Sequence, residues 1–299
     1  MKQTIITLFG EGYLNNVNLK DENNVIKGTV SIKTGEAESV LFNVHCYRLT
    51  KNGDKNFKYD IFKAVMNEYK SSNNEPDYKK TDKIYIKKHE VKNKIYPNAT
   101  IKTDTYLKDG KLVDGMKYQV DLLNKKDNDF LTSHPKFSFT VENLLVESIL
   151  PEYDSKGEPT NRGILNGYCI NNHELAAKAS FVLGKEGYDY AKTAWACGDT
   201  VNISGDIISK KVKKITLPTN VAFGSLHNDD ADKWINENLI VGAEEKLVDG
   251  FSSEDITTVM MNYDNKKEKL LSEQTFLSSG IDSPIAGFVS VPMDENSIY

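Results

Sequence analysis

Residues 25–47, VIKGTVSIKTGEAESVLFNVHCY, alternate apolar and polar side chains on both sides of the turn Gly35-Glu36-Ala37-Glu38. A period of two belongs to a strand, because successive side chains on a pleated backbone point to opposite faces. One set, Ile26, Gly28, Val30, Ile32, Val40, Phe42, Val44 and Cys46, is therefore assigned to a core. The other set, Lys27, Thr29, Ser31, Lys33, Leu41, Asn43, His45 and Tyr47, points outward, and it is cationic, hydrogen-bonding and partly aromatic.

The same reasoning extends along the chain. Residues 4–14 read as a strand, so the first three strands form a meander. Residues 56–71 switch period: Phe57, Ile61, Phe62, Val65, Met66 and Tyr69 fall at helical spacings behind Asn56, a suitable N-cap. Strand alternation returns at 83–91, and an extended region runs on through Ile101 and Tyr106. Three strands, a helix and two more strands is the order of the OB-fold, a small five-stranded Greek-key barrel. The second half repeats it, with strands at 137–150, 162–171 and 174–183, a short helix at 187–197 and a strand at 199–208. After each helix comes the pattern x-Asp-x-[Ile/Val]-x-Ile, as TDKIYI at 81–86 and GDTVNI at 198–203. The fold class expected is mainly β with minor helices: two tandem OB-like barrels, residues 1–123 and 137–230, joined by a polar linker at 124–136. Residues 231–299 are expected to form a partly helical, acidic C-terminal segment: DADKWINENL at 230–239 and 252–277 read as helices, and 278–299 as a tail.

Charge is divided along this organisation. Residues 1–135 carry 23 Lys/Arg against 18 Asp/Glu, residues 136–230 carry 10 against 12, and residues 231–299 carry 5 against 13. A basic body with an acidic end suits a polyanion on the body and a basic partner, or repulsion of the polyanion, at the end. The N-terminal apolar run is too short for a signal peptide core or a membrane span, which leads us to expect a cytoplasmic protein with no membrane partner. Cys46, Cys169 and Cys197 are odd in number and lack ligand spacing, so each is expected to be a small buried apolar residue, with no disulfide framework or zinc site.

No phosphate loop, nucleophile elbow, HExxH or zinc-deaminase pattern is present, and the five histidines are scattered, so we expect no enzyme and no cofactor. HNDDAD at 227–232 reads as a helix-initiating turn rather than a metal site. The features that do gather are cations interleaved with rings. In the first half they are Lys27, Lys33, Tyr47 and Arg48 with Lys83, Tyr85, Lys87, Lys88 and Tyr96, the last five lying in a stretch of seven lysines and two acids at 79–96. In the second half they are Arg162, Tyr168, Lys178, Lys210 and Lys211. Trp195 reads as a core anchor. Lysines displace the counterions condensed on phosphates, and aromatic faces stack unpaired bases at about 1–3 kcal/mol each whatever the base.

On these residues, the element order, the outward hairpin at 27–49 and the acidic end, the chain resembles the OB-fold single-stranded DNA-binding proteins, especially divergent ones of bacterial viruses. The resemblance covers residues 1–115 best and 136–215 less well. It implies sequence-tolerant coating of single-stranded DNA in replication or recombination, in cooperative or oligomeric form, with an acidic segment docking replication or recombination proteins. The terminal MDENSIY, with only two acids, departs from the denser acidic run of such tails. A competing class is a non-enzymatic viral structural or interaction protein built from two β-domains; it accounts for the repeated strand pattern but leaves the charge division unexplained.

Overall fold

The computed structural model describes residues 1–87, 90–91, 94–95, 98–126, 134–154, 156–171, 175–212 and 233–278. In chain order its elements are β1 (Ile5–Glu22), β2 (Val25–Gly35), β3 (Glu38–Tyr47), α1 (Phe57–Asn67), β4 (Lys83–Ile86), β5 (Glu90–Val91), β6 (Lys94–Ile95), β7 (Ala99–Lys108) and β8 (Lys111–Val120). They continue with β9 (Asn124–Lys126), β10 (Phe137–Tyr153), β11 (Pro159–Ile170), β12 (Ala176–Leu183), α2 (Lys185–Ala194), β13 (Thr200–Val212), β14 (Lys233–Ala243) and α3 (Ser253–Ser278).

Two barrels follow from the pairings. In the first, β1 pairs with β2, β2 with β3, and β4 with β1, all antiparallel, and α1 lies between β3 and β4 in the chain. β8 meets β3 in parallel at Asn43 and Gln119, and the chain then runs into β9, which pairs with β4, so β8 and β9 together close the ring. In the second barrel β10, β11 and β12 form the meander, α2 follows, β13 pairs back to β10, and β14 joins β13 antiparallel and β12 in parallel. Both are five-stranded Greek-key barrels with the helix between the third and fourth strands, the OB topology.

The barrels share material. The first half of β1, Ile5–Gly10, pairs with β10, and its second half, Tyr13–Glu22, pairs with β2. Gly10, at φ 150°, marks the crossing: a Cβ there would sit 2.2 Å from the carbonyl oxygen of Lys136. One continuous core runs through both barrels, with Phe42 against Phe137 at a ring separation of 5.1 Å and Phe139 against Phe181 at 5.5 Å. The alternation of the opening hairpin is realised, since Ile26, Val30, Ile32, Val40, Phe42, Val44 and Cys46 are all buried. Asn56 caps α1 through its side-chain oxygen, which accepts from the Lys58 amide, and Phe62 and Val65 dock the helix on the sheet.

Three expectations are corrected. Residues 233–239 form the first part of β14, not a helix. Their polar run Asn236-Glu237-Asn238 hides the strand, and the position that closes the second barrel imposes it, with buried Asn238 accepting a 2.8 Å bond from the Tyr118 hydroxyl. The second barrel therefore extends past residue 230. Residues 124–126, read as linker, are the strand that completes the first barrel. Cys197 is exposed, whereas Cys46 and Cys169 are buried, and burial pushes their thiols up to about 11 and about 12. Trp195 is buried against Tyr190. Residues 227–232 and the tail from 279 lie outside the described residues, and no helix among those described is long and apolar enough to cross a membrane.

Candidate nucleic-acid interface

The outward side of the first barrel begins at a two-residue turn. Asn23 and Asn24 both have positive φ, 53° and 65°, the conformation whose twist suits a tight hairpin, and they bring β1 back along β2. Gly28 then allows the two strands to cross closely: at φ 139°, any Cβ it carried would lie 2.0 Å from the Asn18 carbonyl oxygen.

The register of β1, β2 and β3 sorts the outward side chains into rows. Glu22, Val25 and Tyr47 stand abreast, then Lys20, Lys27 and His45, then Asn18, Thr29 and Asn43, then Asn16, Ser31 and Leu41, and finally Tyr13, Lys33 and Ser39. Lys20 and Lys27 are exposed and neither forms an ion pair among the described residues. They border a shallow cleft with Asn18, Glu22 and Gly28. Tyr47 is 37% exposed, and its ring lies 4.9 Å from that of His45. Arg48 is exposed beside them, its guanidinium donating to Asn24 at 3.1 Å. Leu49 and Phe57, 54% and 61% exposed, extend the apolar part of this end. Toward the middle the face is partly closed, because Asn43 donates to the Tyr118 carbonyl and Ser31 is buried beneath Asn15. From Lys27 to Lys33 the strand advances about 20 Å at roughly 3.3 Å per residue.

At the Lys33 end a second cluster adjoins the first. Lys33, Tyr13, Lys83 and Lys126 lie in register across β2, β1, β4 and β9, and the next row carries Glu11, Tyr85 and Asn124. Tyr78 meets Tyr13 edge-on at 5.5 Å and receives the Lys33 ammonium 4.3 Å above its ring; Lys87 lies 5.3 Å over Tyr85. Acids temper this cluster: Lys126 pairs with Glu11 and Lys125 with Asp82, both at 2.9 Å. The structure thus brings Lys27, Tyr47 and Arg48 together at one end of the β2 face, and Lys33, Lys83, Tyr85 and Lys87 at the other. Lys88 and Tyr96 lie outside the described residues.

The residues expected to line a second groove do not form one surface. Tyr168 and Lys178 are opposite each other on β11 and β12, but α3 lies on them. Tyr168 is buried, its ring 5.4 Å from that of Tyr263, and burial pushes its phenol up to about 12. Lys178 is ion-paired with Glu147 and sits over both tyrosine rings. Arg162 is held between Glu152 at 3.3 Å and Glu237 at 2.7 Å, so its charge is already answered. Lys210 shares a cleft with Arg162, while Lys211 is exposed at the strand edge and donates its amide to Ala37 in the tip of the β2–β3 hairpin. In this structure the set Arg162, Tyr168, Lys178, Lys210 and Lys211 thus does not present one open stacking groove. A helix remote in sequence covers two of its members, and carboxylates occupy a third.

Sequence reasoning missed Asn16, Asn18 and Lys20, which continue the outward alternation in NNVNLK beyond the point where the first strand was ended. It also missed Tyr13, Tyr78 and Lys126, which only the barrel closure brings beside Lys33 and Lys83.

A family model described as YorF matches residues 9–275 of the chain. Among curated proteins none matches it. Among solved structures, the wild-type single-stranded DNA binding protein from Thermus aquaticus is similar at 9% identity with a TM-score of 0.45, over 84% of this chain and 97% of that one. A deletion variant of the same Thermus aquaticus protein is similar at 10% identity with a TM-score of 0.44, over 85% and 100%.

Proposed function

The chain belongs to the YorF family, and from the open face of its first barrel we propose that it binds single-stranded DNA without sequence preference. The reading extends to a role in strand coating during replication or recombination, of a bacterial virus in its host's cytoplasm, and to binding without catalysis. The observation that carries it is the pair of adjacent rows Lys20-Lys27-His45 and Glu22-Val25-Tyr47, which set two solvent-exposed ammonium groups, with no ion pair among the described residues, beside a half-open ring pair on the β2–β3 face. That face is where OB barrels receive oligonucleotides. Its chemistry suits a flexible strand. The ammonium groups answer phosphates, Asn18, Thr29 and Asn16 offer hydrogen bonds, and Tyr47 offers a stacking surface that every base can use.

The contacts that carry the reading, ammonium on phosphate and ring on base face, do not depend on base identity, which is why the reading is sequence-tolerant. The test is a fluorescence anisotropy titration with a labelled dT 30-mer at 50 and 200 mM salt, in competition with unlabelled duplex. Binding that is stronger for the single strand and falls steeply with salt supports the proposal; no binding at 50 mM salt removes it.

A further inference from the structure

The two barrels carry equivalent outward faces, β2–β3 in the first and β11–β12 in the second, but only the first is open. On the second, Arg162, Ile164, Asn166, Tyr168 and Ile170 of β11 and Ala176, Lys178, Ser180 and Val182 of β12 alternate with the core set that contains Leu165, Cys169, Ala179 and Phe181. The part of this face nearest the β11–β12 turn is covered by α3. Tyr168, Ile170 and Ala176 are buried there against Phe251, Val259 and Tyr263, with Ile256 and Met260 packed alongside.

The cover is seated over a short length. Its buried side chains end at Tyr263, and the helix runs on to Ser278 with Leu271 already 43% exposed. Beyond the apolar contact, polar ties to the β7–β8 hairpin help to fasten it: the Tyr263 hydroxyl donates to Asp114 at 2.8 Å, and Lys266 pairs with Asp104 at 2.7 Å. Its start is independent of the docking surface. Ser252 and Asp255 bond reciprocally, the Asp255 amide to the Ser252 hydroxyl and the Ser252 amide to the Asp255 carboxylate, so the cap draws on no side chain of the face that the helix covers. The preceding segment is pinned to β13 through the Phe251 amide on the Thr200 hydroxyl, which leaves a pivot at residue 252. What the helix hides has residue types that the open face also carries, a tyrosine and a lysine on the second and third strands of a barrel: Tyr168 and Lys178 are directly opposite each other, whereas Lys27 and Tyr47 stand in adjacent rows. Tyr263 lays its ring edge-on to Tyr168 with the Lys178 ammonium 4.7 Å above it, an aromatic group where a stacked base would rest.

We propose that α3 is a displaceable cover and that Tyr168 and Lys178 form a second single-strand binding site exposed when it leaves. This rests on the first barrel binding single strands as proposed above. Strand and helix then compete for one face, so a strand long enough to pass beyond the first barrel draws α3 off, and the free protein holds the second site shut.

The test uses the full-length chain, hydrogen exchange by mass spectrometry and a dT 30-mer at saturation. Amides of residues 253–267 are expected to lose at least tenfold in protection when the oligonucleotide binds, while those of α1 do not. A Tyr263→Phe, Lys266→Ala variant, which drops the ties to Asp114 and Asp104 and keeps Tyr168 and Lys178, is expected to bind the 30-mer more tightly, and adding Lys178→Ala is expected to cancel that gain. Tight binding by the wild type with α3 protection unchanged or increased overturns the cover and leaves the first-barrel reading standing. Failure of both the wild type and the double variant to bind at 50 mM salt overturns both.

Discussion

Lys20→Ala with Lys27→Ala puts the most weight on the open face with the least risk to the fold. The two ammonium groups are neighbours on adjacent strands, exposed, and tied to no carboxylate among the described residues, so their loss is expected to change stability by no more than about 0.5 kcal/mol. Each phosphate neutralised on a single strand contributes about 0.7 to the slope of log affinity against log salt. If Lys20, Lys27 and Lys33 each answer one phosphate, the slope is about −2.1, and raising salt from 50 to 200 mM weakens binding about 18-fold. With two of the three removed the slope is about −0.7 and the same step weakens binding about 2.6-fold. Further contacts elsewhere add equally to both proteins, so the difference of about 1.4 in slope is the quantity to compare. Anisotropy titrations of a labelled dT 30-mer at four salt concentrations, with circular dichroism to verify folding, supply it. A folded variant whose slope equals the wild type's refutes the assignment of these lysines to the strand.

Other expectations follow from the same geometry. Tyr47→Ala should lower affinity for poly-pyrimidine strands by about 1–3 kcal/mol, roughly 5- to 150-fold, with an unchanged melting curve, since the ring is exposed and contributes no core contact; unchanged affinity counts against stacking there. Gly28→Ala should reduce both stability and binding, because its Cβ meets the Asn18 carbonyl and forces β1 from β2; a variant as stable as the parent would contradict the close crossing. Phe42→Ala, which empties a fully buried site between the barrels, should destabilise by about 3–5 kcal/mol in denaturant titrations. At pH 8 a thiol reagent should label Cys197 rapidly and Cys46 and Cys169 only on unfolding. Burial holds both thiols protonated far above that pH, so their thiolate population rises only as pH approaches about 11 and about 12; three fast thiols in the native protein would contradict this.

How much of this was legible in the sequence depended on whether the signal was local. The core face of residues 25–47 was, because period-two alternation is enforced residue by residue, and α1 was, because Asn56 and the helical spacing of Phe62 and Val65 agree. The β7–β8 hairpin was announced by Asp109-Gly110, both at positive φ between alternating runs, a strong hairpin cue that the sequence reading passed over. β14 was hidden for a physical reason. β13 pairs with it along Lys233–Ala243, and this long ladder imposes the extended conformation on Asn236, Glu237 and Asn238, while β12 adds pairing only at Leu239 and Ile240. The site divided in the same way. Lys27, Tyr47 and Arg48 lie close in sequence or register and were found together. Tyr168 and Lys178 read as members of a second groove, but nothing near them in sequence indicates that a helix about ninety residues later lies on top. Arg162 looked free because its partners Glu152 and Glu237 come from different strands.

Photocrosslinking tests the central claim most directly. A dT 30-mer carrying 5-iodouracil at alternate positions, bound at low salt and irradiated, reports which rings touch bases, and mass spectrometry of the tryptic peptides locates the adducts. The account predicts adducts in the segment 34–48, on His45 or Tyr47. Adducts at saturation confined to other segments, with 34–48 unmodified, would contradict it.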